Sequence, residues 1–191
     1  MKIGLFGGSF DPVHRAHTSL AEQALIQFKL DRVIWIPAAS SPFKQASQPT
    51  TPEHRQAMVE LVCEGCPQFE VSPYEIKKGG ISYSAETLRY FQKVHTNAEF
   101  FWILGSDTFK NIIKWKEAEF LIQNLTFIVA QRGDSLTPIP EKVKAKQVQM
   151  KWNPVSSTEM KADLAQGKAS GQLDPRVLDY IRQHRLYGVP A

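Results

Sequence analysis

His14 and His17 stand three residues apart in the stretch Gly4-Leu5-Phe6-Gly7-Gly8-Ser9-Phe10-Asp11-Pro12-Val13-His14-Arg15-Ala16-His17. At that spacing on a starting helix, two imidazoles share a face and can donate two hydrogen bonds to one anionic group. Gly7 and Gly8 present no Cβ, so backbone can approach a ligand there. A helix start adds unpaired N–H groups and the positive end of the dipole, a setting suited to phosphate. Taken piece by piece, the same residues are only a tight turn and two surface histidines; turn and histidines together favour phosphate. Two familiar phosphate loops are excluded. The glycines at 4, 7 and 8 do not fit G-x-G-x-x-G, and Ile36-Pro37 stands where a dinucleotide site carries an acid. Ser9-Phe10 follows the glycines where a P-loop needs Lys and a hydroxyl. A helical metal-binding pair is spaced by four with Glu between and needs a third ligand, so no metal site is expected.

Three other segments carry comparable chemistry. Lys44, in Pro42-Phe43-Lys44, can reach a phosphate or be a solvated loop lysine. In Gly105-Ser106-Asp107, Gly105 permits close approach, and Asp107 can accept hydrogen bonds from ribose hydroxyls or cap a helix. Val155-Ser156-Ser157-Thr158-Glu159-Met160-Lys161 contains a capping box, Ser156-x-x-Glu159. A capping box does not account for the hydroxyls of Ser157 and Thr158 or for a cation one turn on. That cluster at a helix start suits the β- and γ-phosphates of a nucleotide. Trp115, taken alone, is a core tryptophan.

These residues need elements to place them. Apolar and β-branched runs predict strands at Lys2–Phe6, Arg32–Ile36, Phe69–Tyr74, Glu99–Leu104, Leu125–Ala130 and Gln147–Trp152. Helical spacing predicts helices from about Ala16 to Phe28, from Thr51-Pro52-Glu53 with Met58, Leu61 and Val62 inward, and from a Ser84 cap through Leu88 and Phe91. Further helices are expected over Ala118–Gln123, Ser156–Gln166 and Asp174–Gln183, with loops at Ser40–Pro52 and Gly133–Pro140. Strands alternating with helices imply an α/β fold, a parallel sheet covered on both faces. Ligands bind beyond the carboxyl ends of such strands, which is where Gly7–His17, Pro37–Lys44, Gly105–Asp107 and the turn before Ser156 fall.

Composition sets the outer limits. The 191 residues are 42% hydrophobic and 22% charged, one domain's worth (1–191) with no repeat or splitting linker. No apolar run approaches the ~18 residues of a membrane span, and the N-terminus lacks a signal-peptide pattern. Lys and Arg number 23 against 19 Asp and Glu, a formal +4. That excess suits anionic partners, but the basic residues are spread along the chain rather than gathered into a nucleic-acid stripe. Cys63 and Cys66 form C-x-x-C without a second pair for zinc, at the far end of a helix before Pro67. Two thiols and no secretion signal are expected of a reducing cytoplasm.

Gly-Gly-Ser-Phe-Asp-Pro-Val-His-x-x-His resembles the opening of the bacterial nicotinate-nucleotide adenylyltransferases, members of the nucleotidyltransferase superfamily marked by H-x-G-H and I-S-S-T-x-x-R. The resemblance continues in family order through Thr51–Met58, Tyr83–Leu88, Leu104–Thr108 with Trp115, and Val155–Lys161. It implies a single Rossmann-like doubly wound domain. It also implies transfer of an adenylyl group from ATP, carried with Mg2+, to nicotinate mononucleotide. His14, His17, Lys44 and Lys161 would act on phosphates. Gly7, Gly8, Ser9, Phe10, Gly105, Asp107, Ser156, Ser157 and Thr158 would hold ATP. Lys44, Tyr83, Ser84, Trp115 and Arg132 would hold the acceptor, with Trp115 stacked on its pyridine ring. Three positions depart from the family pattern: Ala16 for Gly, Phe43 for His, and Lys161 for Arg, which keeps charge but loses the bidentate fork. The rival readings are the same chemistry on nicotinamide mononucleotide or another phosphate such as phosphopantetheine, and a weakened nucleotide-binding regulator. Neither nucleic acid nor membrane is expected as a partner; a homo-oligomer is left open.

Overall fold

The computed structural model describes residues 1–42, 50–131, 138–150, 157–168 and 171–189. Six strands form one parallel sheet: β1 (Lys2–Gly8), β2 (Arg32–Pro37), β3 (Phe69–Val71), β4 (Glu99–Gly105), β5 (Thr126–Ala130) and β6 (Ala145–Val148). Their spatial order is β3-β2-β1-β4-β5-β6, and every pairing is parallel. The order reverses between β1 and β4, and in sheets of this kind ligands bind beyond the carboxyl ends at such a switch point. Leu5 pairs with Ile34 on one side and Trp102 on the other, which brings the β1 and β4 ends side by side.

Strand residues point alternately to the two faces, and each face has its own core. Phe6, Val33, Trp35, Phe101, Ile103 and Ile128 enter one core with Leu20, Met58, Met160, Val177 and Ile181. These last come from α1 (Arg15–Gln27), α2 (Pro52–Cys63), α7 (Ser157–Ala165) and α8 (Pro175–Gln183). Leu5, Ile34, Trp102, Leu104 and Phe127 face the other core with Leu88, Phe91, Phe109 and Leu121. The helices there are α4 (Ser84–Val94), α5 (Ser106–Phe109) and α6 (Ala118–Asn124), while α3 (Tyr74–Lys78) follows β3. The doubly wound α/β class expected from the alternating pattern is therefore present. Among the described residues, no helix is long and apolar enough to cross a membrane.

Boundaries differ from expectation where a specific group intervenes. β3 ends at Val71 rather than Tyr74, because Pro73 has no N–H to continue a ladder and Tyr74 opens α3. β6 runs Ala145–Val148 rather than Gln147–Trp152, of which 151 and 152 lie outside the described residues. Gln27 of α1 takes over the backbone beyond it, accepting from Gln149 N at 3.0 Å and donating to Gln149 O at 2.6 Å. Tyr83, not Ser84, is the N-cap of α4. The buried stripe of α2 is Arg55, Met58, Val59 and Cys63, with Leu61 and Val62 only half-buried. Gly79 (φ 70°) and Gly80 (φ 67°) make the turn after α3 in a region closed to most side chains. That turn lets Ile81 bridge to Ser40 beyond β2.

Candidate functional site

Chain leaving β1 folds tightly before α1. Phe10 sits at φ 47°, in the left-handed region, and Asp11-Pro12 is a cis bond. Phe10 accepts that backbone because its ring is buried against Phe6, Trp35 and the edge of His17. Its contribution to a ligand is thus limited to backbone. Gly7 and Gly8 prove to serve packing: a Cβ on Gly7 would meet the Trp102 ring at 3.0 Å, and one on Gly8 the Phe10 ring at 3.0 Å. A Cβ on Gly105 would meet nothing within 4 Å, so open space faces that position at the β4 edge.

His14 is the N-cap of α1, and its ring stacks on His17 with centroids 3.7 Å apart. The His14 backbone N–H donates to His17 Nδ1 at 3.3 Å. With Nδ1 accepting, a neutral His17 carries its proton on Nε2 and is a donor through that atom. The expected pair is thus assembled at a helix start, beside the free end of β1.

Lys161, one turn into α7, is brought to the same turn. Its ammonium pairs with Asp11 Oδ2, and the Tyr187 hydroxyl donates to Asp11 Oδ1 at 2.7 Å. Ser157 and Thr158 lie in the first turn of α7, just before Lys161. Asp107 is exposed in the first turn of α5, whose N-cap is Gly105. Four expected groups, His14, His17, Lys161 and the Gly105–Asp107 segment, therefore belong to the side of the sheet where β1 and β4 end. Lys44, Arg132 and Ser156, with Phe43, fall outside the described residues.

Tyr83, Ser84 and Trp115 gather on a second flank. Trp115 follows a short 3-10 turn, Ile112–Lys114, and packs edge-on to Trp102 at 6.3 Å. Lys116 lies 3.9 Å over the Tyr83 ring and bonds Glu86 at 3.0 Å, and Lys78 bonds the same carboxylate at 2.8 Å. Arg89 holds Glu117 with two bonds, 3.0 and 2.5 Å. These partly exposed pairs tie the start of α4 to the Trp115 segment, fixing register more than adding stability. Behind them, buried Glu75 accepts from Thr87 Oγ1 at 2.5 Å, and burial raises its carboxyl above the ordinary range. Ser82, next to Tyr83, accepts from Ala39 N at 3.0 Å.

Arg55 and Tyr187 were not among the expected site residues. Arg55 is 0% exposed, and its guanidinium donates to four backbone carbonyls: Ser9 at 2.7 Å, Ala38 at 2.6 Å, Ala39 at 3.1 Å and Thr50 at 3.4 Å. It thereby joins the turn after β1 to the chain beyond β2. Burial pushes its pKa down, and the Asp11 charge opposes that shift. The one sequence signal for Arg55 is a charge on the apolar stripe of α2; Tyr187 had none. Cys63 and Cys66 are free thiols, and burial raises Cys63 to about 12, which keeps it protonated and unreactive.

Comparison with known proteins places the chain in a family. The profile of the cytidylyltransferase-like family matches residues 5–163. A Salinibacter ruber protein named "probable nicotinate-nucleotide adenylyltransferase" is 38% identical over 98% of both chains. A Synechococcus protein of the same name is 37% identical over 99% of this chain and 98% of its own. Among solved structures, Plasmodium falciparum nicotinic acid mononucleotide adenylyltransferase complexed with NaAD superposes with a TM-score of 0.82, at 21% identity, over 99% of this chain and 98% of that one. The structural match supports the fold, and the sequence matches carry the membership: this chain belongs to the nicotinate-nucleotide adenylyltransferases of the cytidylyltransferase-like family.

Proposed function

We propose that this chain transfers the adenylyl group of ATP to nicotinate mononucleotide, giving nicotinate adenine dinucleotide and pyrophosphate, a step of NAD biosynthesis. The observation that carries the reading is the stacked His14–His17 pair at the α1 N-terminus, with Lys161 paired to Asp11 in the same turn. A phosphate oxygen of the mononucleotide attacks the α-phosphorus of ATP, the bond to the β-phosphate oxygen breaks, and pyrophosphate leaves. The attacking oxygen is already an anion, so no protein nucleophile or general base is required. Catalysis rests on positioning and on donors aimed where negative charge develops.

His17 Nε2 and His14 donate to the α- and β-phosphate oxygens, assisted by the α1 N–H groups. Lys161, with Ser157 and Thr158 one turn earlier, draws charge toward the leaving pyrophosphate. Lys44 and Ser156 join this side, and Arg132 the acceptor side, on sequence alone. Gly105 and Asp107 take the adenosine ribose at the β4 edge. On the other flank Tyr83, Ser84 and Trp115 hold the pyridine ring and its carboxylate. Among the described residues, no cluster of three His, Cys, Asp or Glu is built to hold a metal ion. A divalent ion such as Mg2+ would enter with the triphosphate and would offset charge on its oxygens.

Incubating the protein with ATP and nicotinate mononucleotide tests the reading. Pyrophosphate release and a dinucleotide of the expected mass are predicted only when both substrates are present. ATP binding without pyrophosphate release would replace it with the nucleotide-binding regulator.

A further inference from the structure

Asp11, Lys161 and Tyr187 come from three distant parts of the chain and converge on one buried carboxylate. Asp11 is 6% exposed, in the turn after β1. Its two oxygens are divided, Oδ1 accepting from the Tyr187 hydroxyl at 2.7 Å and Oδ2 from the Lys161 ammonium. Tyr187 lies in the short 3-10 turn after α8 and adopts φ 58°, ψ 22°. An aromatic residue in the left-handed region is disfavoured unless its surroundings hold it there. The same ring lies 5.6 Å from the Lys161 nitrogen. Burial and the Asp11 charge hold the phenol well above its ordinary range, so it stays a donor across neutral pH.

A lysine side chain is flexible, and ordering it at a ligand costs rotamer freedom. Asp11 removes that cost in advance, because one of the three N–H donors of the ammonium is spent on Oδ2 and two are left for an anion. Tyr187 in turn fixes which oxygen faces the ammonium. We propose that Asp11 and Tyr187 are positioning residues that hold Lys161 at the phosphate side of the proposed site, so that the last turn of the chain sets affinity for the triphosphate. The proposal rests on the adenylyl-transfer reading for its ligand, although the geometry of the three side chains does not depend on it.

A double-mutant cycle tests it, with Y187F, D11N and K161A singly and Y187F and D11N each combined with K161A. Two readouts are taken: kcat/KM for ATP with the KM of the mononucleotide, and the calorimetric affinity for a non-hydrolysable ATP analogue. Y187F keeps the ring and loses only the hydroxyl. The expected result is a loss of about tenfold in analogue affinity and in kcat/KM for ATP, with the mononucleotide KM unchanged. In the K161A background Y187F and D11N should each change either value by less than about twofold, since their route to the ligand is already gone. Equal losses in both backgrounds, or wild-type values for Y187F and D11N, would overturn the proposal. If one variant fails to fold, the other completes the cycle. If the wild type binds the analogue but releases no pyrophosphate, the adenylyl-transfer reading falls, and the analogue-affinity cycle still decides the positioning role. Failure of the wild type to bind the analogue overturns both.

Discussion

In the proposed reaction, His17 is the residue that acts most directly on developing charge. Its Nδ1 is committed to the His14 backbone, so its outward proton is on Nε2, and no other tautomer satisfies both. Removing a donor that acts on developing charge costs about 10²–10³ in turnover. H17A should therefore lower kcat by about that factor with the fold intact, measured as pyrophosphate release; a variant turning over normally removes His17 from catalysis. Arg55 acts on structure first. R55K keeps the charge but cannot span Ser9, Ala38, Ala39 and Thr50, so buried carbonyls lose their donor. A cost of about 2–4 kcal/mol is expected, read as a fall of about 4–16 °C in Tm. An unchanged Tm would show that these bonds do not hold the turn. His14 and His17 were legible because neighbours in sequence are neighbours on a helix start. Arg55 and Tyr187 were not, because their partners lie far along the chain: 46 residues from Arg55 to Ser9 and 176 from Tyr187 to Asp11.

Two flanks of the sheet would divide the substrates in the proposed reaction. The α4 start and the Trp115 segment are clamped by Glu86–Lys116 and Arg89–Glu117. W115A should raise the KM of the mononucleotide by about 5–150-fold and leave that of ATP nearly unchanged, since stacking on one aromatic face is worth about 1–3 kcal/mol. An equal or reversed effect in steady-state kinetics rejects the stacking role. Glu75 supports this flank from below and gives it a pH signature. Its folded-state pKa is raised by burial, so the folded protein binds that proton more tightly than the unfolded chain. The resulting stability is fully present below the unfolded pKa and is lost as pH rises through the folded pKa. Tm of E75Q relative to wild type should therefore climb as pH rises above the ordinary carboxylate range; a constant difference would mean that Glu75 does not titrate in this way. Long apolar strands such as Glu99–Gly105 could be read from sequence, whereas α3 and α5, of five and four residues, are too short for periodicity to register. β6 was misplaced because its end is set by the Gln27 side chain, a contact 122 residues away.

For the whole molecule, sheet order matters more than net charge. The formal +4 admits any anionic partner. The β3-β2-β1-β4-β5-β6 order narrows this by placing the β1 turn and the end of β4 side by side at the switch point of the sheet. The C-terminal part of the chain then returns to the N-terminal turn, through Lys161 and Tyr187 on Asp11 and through Arg15 N, which donates to Gln172 O at 2.8 Å. Parallel alternation made the layers readable in advance; that closure could not be read, since it depends on polar contacts with no periodicity. The acceptor distinguishes the proposed reaction from its rivals. The most direct measurement is kcat/KM with ATP held saturating and nicotinate mononucleotide, nicotinamide mononucleotide and phosphopantetheine supplied in turn, following pyrophosphate. Turnover with nicotinate mononucleotide is expected to be at least about tenfold more efficient than with either alternative, since losing a charge-assisted contact to the carboxylate costs about 1.5–3 kcal/mol. Preference for another acceptor, or no turnover with any of the three, would contradict the proposed reaction.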